Sequence, residues 1–181
     1  VIKRIVEPLY PRHYFVLVFA KPTRDEKRKH FLWRFWQDVP GMGGMALFDR
    51  SWYGRVLVER VEGFCKEPDW MRAYSEINDF EDQLVANDTV LLKFWLQIGK
   101  DEQLTRFKLR EKTSFKRFKI TEEDWRNRKK WDAYQRAVAD MVERTSTPYA
   151  PWSLVAANDK YHARVTVLKI LCDRIEAALE G

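Results

Sequence analysis

Four short apolar segments, each separated from the next by enough chain for a helix, constrain how this chain of 181 residues can fold. The first, between His13 and Ala20, is apolar without interruption from Phe15 to Phe19, as in a strand buried on both faces of a parallel sheet. Strands joined by long helical connections form parallel sheets with helices on both faces. The pattern therefore predicts an α/β fold with strands at about 13–20, 45–48, 89–98 and 152–156.

Capping signals place helices between these strands. Thr23 and Glu26 match a capping box, which predicts one continuous helix from about residue 24 to residue 38. Thr121 with Asp124 is a second N-cap signal, ahead of a long helix that we expect to reach residue 143. Apolar periodicity predicts further helices at about 53–64, 68–85 and 159–179. A chain of this length is expected to form a single domain.

The net positive charge lies in one segment. Residues 104–119 hold seven basic side chains and one acidic side chain, Glu111, so the net charge of this segment is +6. The whole chain has the same net charge, so the rest of the chain is neutral overall. Because like charges at this density repel one another, the segment favours a localised contact with a polyanion. Its three phenylalanines would also suit single-stranded nucleic acid, whose bases would stack on them. A solvated helix face is the alternative without a binding role.

A cluster of polar side chains follows the second predicted strand, where ligands bind in α/β sheets. Asp49 comes directly after Phe48, and nucleotide phosphotransferases use an aspartate at such a position to hold Mg²⁺. Arg50 and Arg55 are suited to clamping phosphoryl oxygens, because the guanidinium group matches phosphate geometry. On the residues alone, a helix cap at Asp49 and a surface ion pair at Arg50 explain the pattern equally well.

Several other kinds of site have no support in the sequence. No glycine-rich loop has the spacing that cradles phosphates. The two cysteines are far apart and match no metal-binding pattern, so a reducing, cytoplasmic location is expected. No apolar run approaches the ~20 residues that a membrane-spanning helix needs. The three histidines show no metal-binding or triad spacing; they are His13, His30 and His162.

Segments along nearly the whole chain resemble the polyphosphate kinase 2 family. Residues 48–60, followed by Gly63 and Phe64, look like the Walker B region of that family. The similarity extends, in order, to residues 31–40, 116–119, 131–134, 151–152, 159–160 and 163–164. Gly54, where many members carry Asn, makes the chain most similar to the double-domain polyphosphate:AMP phosphotransferases.

The resemblance implies a three-layer α/β/α sandwich of P-loop kinase type, related to thymidylate kinase, with a mobile helical lid at about 104–130. It implies transfer of phosphoryl groups between inorganic polyphosphate and a nucleotide (AMP, ADP or GDP), with Mg²⁺ as the cofactor. Asp49 would hold the metal ion and act in catalysis together with Arg50, Arg55 and Glu59. The cations of the lid that would face polyphosphate are Lys116, Arg117 and Lys119.

Helical spacing adds two pairs of candidate anion-binding residues. Arg106 and Arg110, both within residues 104–119, would share one face of a helix there. Lys160 and Arg164 share a face of the last helix near its N-terminus, where a plain surface pair explains them equally well.

Family members begin with a strand and a glycine-rich Walker A loop, and this chain begins within the helix that follows them. We therefore expect one domain that lacks its first strand and phosphate loop and is inactive alone. We also expect homo-oligomers, no membrane partner and no nucleic acid partner. Two alternatives stay open: a non-catalytic module of the same fold that binds a polyanion or RNA, and a nucleoside monophosphate kinase that uses ATP.

Overall fold

The computed structural model describes residues 1–180, and within them every side chain except those of Lys116, Arg117 and Lys119. The strands of this part of the chain are β1 (Tyr14–Val18), β2 (Met45–Asp49), β3 (Lys93–Gln97) and β4 (Trp152–Ala156). Its α-helices are α1 (Ile2–Val6), α2 (Trp33–Trp36), α3 (Arg60–Glu62), α4 (Glu67–Ala86), α5 (Lys100–Lys112), α6 (Glu122–Lys129), α7 (Trp131–Thr145) and α8 (Lys160–Glu180). Turns of 3-10 helix occupy Glu26–Arg28, Trp52–Gly54 and Ser114–Lys119, and a π-helical turn occupies Arg55–Glu59.

The strands form two parallel pairs that share one layer. β1 pairs with β2 and β3 pairs with β4, and no ladder joins β2 to β3 within residues 1–180. Phe48 of β2 and Trp95 of β3 nevertheless contact one apolar cluster, while their neighbours Leu47 and Phe94 contact another. Because successive side chains of a strand point to opposite faces, the two pairs present their faces to the same two clusters.

Helices cover both faces of this layer. On one face, α4 and α7 supply Ile77, Phe80 and Met141, which are almost completely buried. On the other face, α1 and α8 pack Ile5 and Val167 against β4. The predicted α/β fold with parallel strands is thereby confirmed. Among the helices of residues 1–180, none combines the length and apolar character that crossing a bilayer requires.

The prediction that the first strand is buried on both faces is wrong. Phe15, Val16 and Val18 are 57%, 42% and 70% exposed. Within the described residues β1 hydrogen-bonds only to β2, so it is an edge strand. The five-residue helix α1 packs against β4 and α8 rather than over β1, which leaves Val16 and Val18 uncovered.

The single helix predicted for residues 24–38 is also wrong. The capping box does form: the Thr23 amide donates to Glu26 Oε2 (2.6 Å), and the Glu26 amide donates to Thr23 Oγ1 (3.2 Å). The turn ends at once, because Lys29 is extended (φ −112°, ψ 167°). This break lets Leu32 and Phe35 enter the core, where they are 5% and 6% exposed. Core packing outweighs the local helix signals here.

The long helix predicted after Thr121 is divided in two. The capping box of Thr121 and Asp124 is confirmed, but α6 ends at Lys129 and α7 begins at Trp131. Lys130, between them, donates its ammonium to the Glu62 carboxylate (3.1 Å) and to the Val61 carbonyl (3.2 Å). The helices predicted at about 68–85 and 159–179 are confirmed as α4 and α8.

Candidate functional site

Asp49 and Arg50 stand at the carboxyl end of β2, where the sequence predicts a ligand. Both side chains are exposed, and neither makes a hydrogen bond or ion pair with another described residue. Arg50 has a left-handed backbone (φ 69°). This conformation costs an L-residue about 1–2 kcal/mol and persists where the surrounding structure imposes it. The carboxylate and the guanidinium are therefore free to bind a ligand from a strained turn.

The two aromatic residues that follow this turn are buried. Trp52 and Tyr53 are 5% and 4% exposed. Trp52 Nε1 donates to Glu81 Oε1 (2.9 Å), and the Tyr53 hydroxyl donates to the same oxygen (2.6 Å). Glu81 belongs to α4 and is itself fully buried. One carboxylate oxygen therefore binds two consecutive side chains just beyond Arg50.

The charge of Glu81 is balanced by a buried lysine. Lys93 Nζ, at the start of β3, donates to Glu81 Oε2 (2.6 Å), to the Tyr53 hydroxyl (3.0 Å) and to the Thr145 carbonyl (2.6 Å). Burial lowers the pKa of Lys93, against the opposing effect of Glu81, and burial together with Glu81 raises the pKa of Tyr53. The network joins the segment after β2 to α4, to β3 and to the end of α7.

The next two predicted site residues pair with each other. Arg55 and Glu59 lie at the two ends of the π-helical turn, with 3.0 Å between Arg55 Nη1 and Glu59 Oε2. The Arg55 guanidinium also lies 4.7 Å from the centre of the Phe31 ring. Glu59 thus holds Arg55 in one orientation on the segment that follows Asp49 and Arg50.

Arg106 lies at the carboxyl ends of β3 and β4, where protein groups surround its guanidinium. Its Nε donates to Glu102 (2.6 Å), and its Nη2 donates to the carbonyls of Ala157 (2.7 Å) and Asn158 (2.8 Å). These bonds join α5 to the turn between β4 and α8. Arg110, one helical turn further on, is partly exposed. Anion binding by the two arginines stays a prediction.

The other predicted pair lies at the start of α8. Lys160 is exposed, and the Arg164 guanidinium lies 5.3 Å from the centre of the Tyr161 ring. The amides of His162 and Tyr161 donate to Asp159 Oδ1 at 3.1 and 2.7 Å, and both bonds lower the pKa of Asp159. A carboxylate of the chain itself therefore caps this helix.

Helix α5, the 3-10 turn Ser114–Lys119 and helix α6 form an arm, here called the basic arm, that is bound to the domain at both ends. Its beginning is held by Arg106. Its end is held by Glu62, whose carboxylate is 2.9 Å from Arg126 and 3.1 Å from Lys130 and whose side chain is 3% exposed. The predicted lid cations Lys116, Arg117 and Lys119 lie outside the described side chains.

The sequence analysis missed Glu62, Glu81 and Lys93. A signal for Glu81 exists, since it lies four residues after Ile77 and three before Leu84, on the apolar face of α4. Lys93 likewise interrupts an apolar stretch that predicts a buried strand. A charged residue on a buried face needs a partner, so these two residues were a predictable pair.

Among the described residues, no group of three or more His, Cys, Asp or Glu side chains is placed to bind a metal ion. An open groove of about 880 Å³ runs along β3 and β4 beside α7, with Trp95, Val138 and Leu154 in its walls. None of the described candidate site residues lines this groove. The candidate site is therefore the carboxyl end of β2, at Asp49, together with the basic arm.

Known proteins are similar to this chain over nearly its whole length. The sequence model of the family described as polyphosphate kinase 2 matches residues 1–180. A polyphosphate:AMP phosphotransferase of Pseudomonas aeruginosa is 59% identical over 177 residues, which cover 98% of this chain and 36% of that protein. The crystal structure of polyphosphate kinase 2 from Arthrobacter aurescens TC1 has a TM-score of 0.94 and 38% identity, covering 97% of this chain and 62% of that one. Another crystal structure, from Pseudomonas aeruginosa PA01, has a TM-score of 0.96 and 58% identity, covering 99% and 39%.

Proposed function

The chain belongs to the polyphosphate kinase 2 family, and we propose that the protein containing it transfers phosphoryl groups between inorganic polyphosphate and a nucleotide. AMP is the first candidate acceptor, because a polyphosphate:AMP phosphotransferase is 59% identical; ADP and GDP are the alternatives. The chain spans 36% of the length of that relative, so the proposal concerns the whole gene product. The observation that carries it is the pair of exposed, unengaged side chains at the end of β2, Asp49 and Arg50.

Phosphoryl transfer asks a protein mainly to align the reactants and to stabilise charge on the phosphoryl oxygens. Arg50 is exposed and has no carboxylate partner among the described residues, so it can bind a phosphoryl oxygen directly. Arg55 is oriented by Glu59 and supplies a second guanidinium. The cations of the basic arm bind the polyphosphate chain, and closure of the arm keeps water from the transferred group.

The residues at the end of β2 fit a magnesium ion. Mg²⁺ usually takes one or two carboxylates from the protein and completes its shell with water and substrate phosphates. The exposed Asp49 carboxylate meets this requirement without a larger cluster of acidic residues. When bound, the ion would neutralise charge on the phosphoryl oxygens.

We also propose that a strand from outside residues 1–180 pairs between β2 and β3 and leads into a phosphate-binding loop. The support is the split layer, in which both strand pairs face the same two apolar clusters without a ladder joining them. Unpaired backbone groups inside such a layer are costly, and one strand would satisfy those of both edges. Hydrogen exchange tests this: the edge amides of β2 and β3 should exchange more slowly in the full gene product than in residues 1–181 alone. Equal rates would contradict it.

The activity is tested on the full gene product with polyphosphate and AMP, ADP or GDP, by chromatography of the nucleotides formed. We expect transfer from polyphosphate and a loss of at least about 100-fold in kcat for Asp49→Asn, with the circular dichroism unchanged. The matched control is Asp88→Asn, an exposed aspartate in the turn before β3, which should keep the wild-type rate.

Each alternative has its own outcome. Binding of polyphosphate without turnover would identify a non-catalytic module. Phosphorylation of AMP by ATP but not by polyphosphate would identify a nucleoside monophosphate kinase. Wild-type turnover by Asp49→Asn would show that Asp49 does not hold the metal ion.

The basic arm is tested by changing Lys116, Arg117 and Lys119 to Gln. We expect a higher KM for polyphosphate and a weaker dependence of that KM on salt, because fewer cations contact the chain. Changing the three consecutive cations at 27–29 to Gln removes the same charge elsewhere and is the control. A change confined to nucleotide affinity would contradict the role of the arm.

Homo-oligomeric assembly and a cytoplasmic location stay predictions.

A further inference from the structure

The buried network of Glu81, Lys93 and their partners supports the segment that follows Arg50, and we propose that its central residue, Glu81, is a positioning residue for Asp49 and Arg50. By holding Trp52 and Tyr53, Glu81 fixes the left-handed turn at Arg50 and with it the directions of both exposed side chains. The inference rests on the proposed function, because it concerns the same site.

The turn is held on both of its sides. Phe48 precedes Asp49 and Trp52 follows Arg50, and their rings contact each other edge to face with 5.2 Å between centroids. Trp52 also packs against Phe80 of α4, at 4.9 Å. These apolar contacts fix how far Trp52 is inserted, but they do not set the direction of its Nε1–H group.

Hydrogen bonds remove that freedom. Both donors, Trp52 Nε1 and the Tyr53 hydroxyl, meet at one oxygen of Glu81, so two consecutive side chains are bound at a single point. The other oxygen of Glu81 is held by Lys93, which is tied in turn to the Thr145 carbonyl. Both oxygens of the Glu81 carboxylate are therefore engaged, and Glu81 anchors Trp52, which lies two residues after the strained position at Arg50.

Stability alone does not account for this arrangement. A buried ion pair is weak evidence for a stabilising role, since apolar side chains of similar volume often replace such a pair at no loss of stability. Methionine at positions 81 and 93 would fill the space but could not accept the two hydrogen bonds. The loss of that acceptor also costs stability, because Trp52 and Tyr53 are buried donors, so alignment is judged by the kcat of the folded variants.

The experiment compares two double variants of the full gene product. Glu81→Met/Lys93→Met removes the acceptor for Trp52 and Tyr53, while Glu81→Gln/Lys93→Met removes the same charges but keeps an amide oxygen as acceptor. We expect the first to lower kcat by about 10–100-fold, with KM values for polyphosphate and nucleotide changed less than about threefold, because small displacements of aligned groups cost rates of this order. The second should recover most of that kcat.

Equal kcat in wild type and Glu81→Met/Lys93→Met would overturn the inference, and so would equal losses in the two double variants. If Glu81→Met/Lys93→Met does not fold, the kcat of Tyr53→Phe tests the inference instead. It removes one of the two bonds while Lys93 keeps Glu81 and Thr145 as partners, and a kcat equal to that of wild type would then overturn the inference. A wild-type protein without transfer activity would instead refute the proposed function.

Discussion

Replacing Arg50 by glycine separates stability from function at the end of β2. Arg50 adopts a left-handed backbone conformation (φ 69°), and its exposed side chain makes no hydrogen bond or ion pair with another described residue. The substitution therefore relieves a strained position and breaks no contact that supports the fold. We expect Arg50→Gly to be at least as stable as the wild type and to lose most of its phosphotransfer activity.

The magnitude follows from two opposing terms. A left-handed conformation costs an L-residue with a Cβ atom about 1–2 kcal/mol, and glycine avoids this cost. Glycine also gains freedom in the unfolded chain, which favours unfolding by about 0.4–1 kcal/mol. The difference is a net gain of about 0–1.6 kcal/mol in the free energy of unfolding. For a chain of this size, that corresponds to an increase in Tm of up to about 6 °C.

The measurement pairs urea denaturation with the polyphosphate-to-AMP assay on the full gene product. Asp88→Gly is the matched control, since Asp88 is the other described non-glycine residue with a positive φ (58°) and lies in the turn before β3. It should stabilise the protein slightly, because aspartate tolerates this conformation better than arginine, and leave turnover unchanged. Arg50→Lys keeps both the strain and the positive charge, and should lose turnover without gaining stability.

Two results would refute the reasoning. A loss of more than about 1 kcal/mol in Arg50→Gly would show that the arginine side chain supports the fold and that its backbone is not strained. Wild-type turnover in the same variant would show that the strained residue has no part in the reaction.

Two further predictions concern other parts of the chain. Glu62→Gln removes the negative charge that holds Arg126 and Lys130. It should lower the free energy of unfolding by about 1–3 kcal/mol and speed hydrogen exchange in α6. The control is Glu123→Gln: Glu123 is an exposed partner of Arg126, and its replacement should cost less than about 1 kcal/mol. Two backbone hydrogen bonds lower the pKa of Asp159, so its carboxylate stabilises the fold above its ordinary pKa of 3.8 and loses that effect as pH falls through the lower folded pKa. Asp159→Asn should therefore lower the urea midpoint at pH 7 and make that midpoint less sensitive to acid.

The features that the sequence predicted correctly are those that depend on neighbouring residues. The two capping boxes, at Thr23 and Thr121, need only a hydroxyl and a carboxylate three residues apart, and both form. The extent of the helices that follow them was predicted wrongly. The first ends at Lys29 so that Leu32 and Phe35 can enter the core, and the second ends where Lys130 meets Glu62, residues that are far apart in the chain.

The exposure of β1 could not be predicted from its own residues. An apolar run is typical of a strand covered on both faces, but coverage depends on what packs there. In this chain α1 lies against β4 and α8, and Val16 and Val18 stay exposed.

The charge count shows where the excess of cations lies, but not which cations are available to a ligand. Arg106 belongs to the segment that accounts for the net charge of +6, yet its guanidinium is occupied by Glu102 and two carbonyls. Glu102 lies just outside that segment, so no count within residues 104–119 could reveal the pairing. Arg50, in the part of the chain whose charges sum to zero, has no partner among the described residues. Contacts within the folded chain therefore decide which cations are available to a ligand, and they leave Arg50 open at the carboxyl end of β2 while they occupy Arg106 at the base of the basic arm.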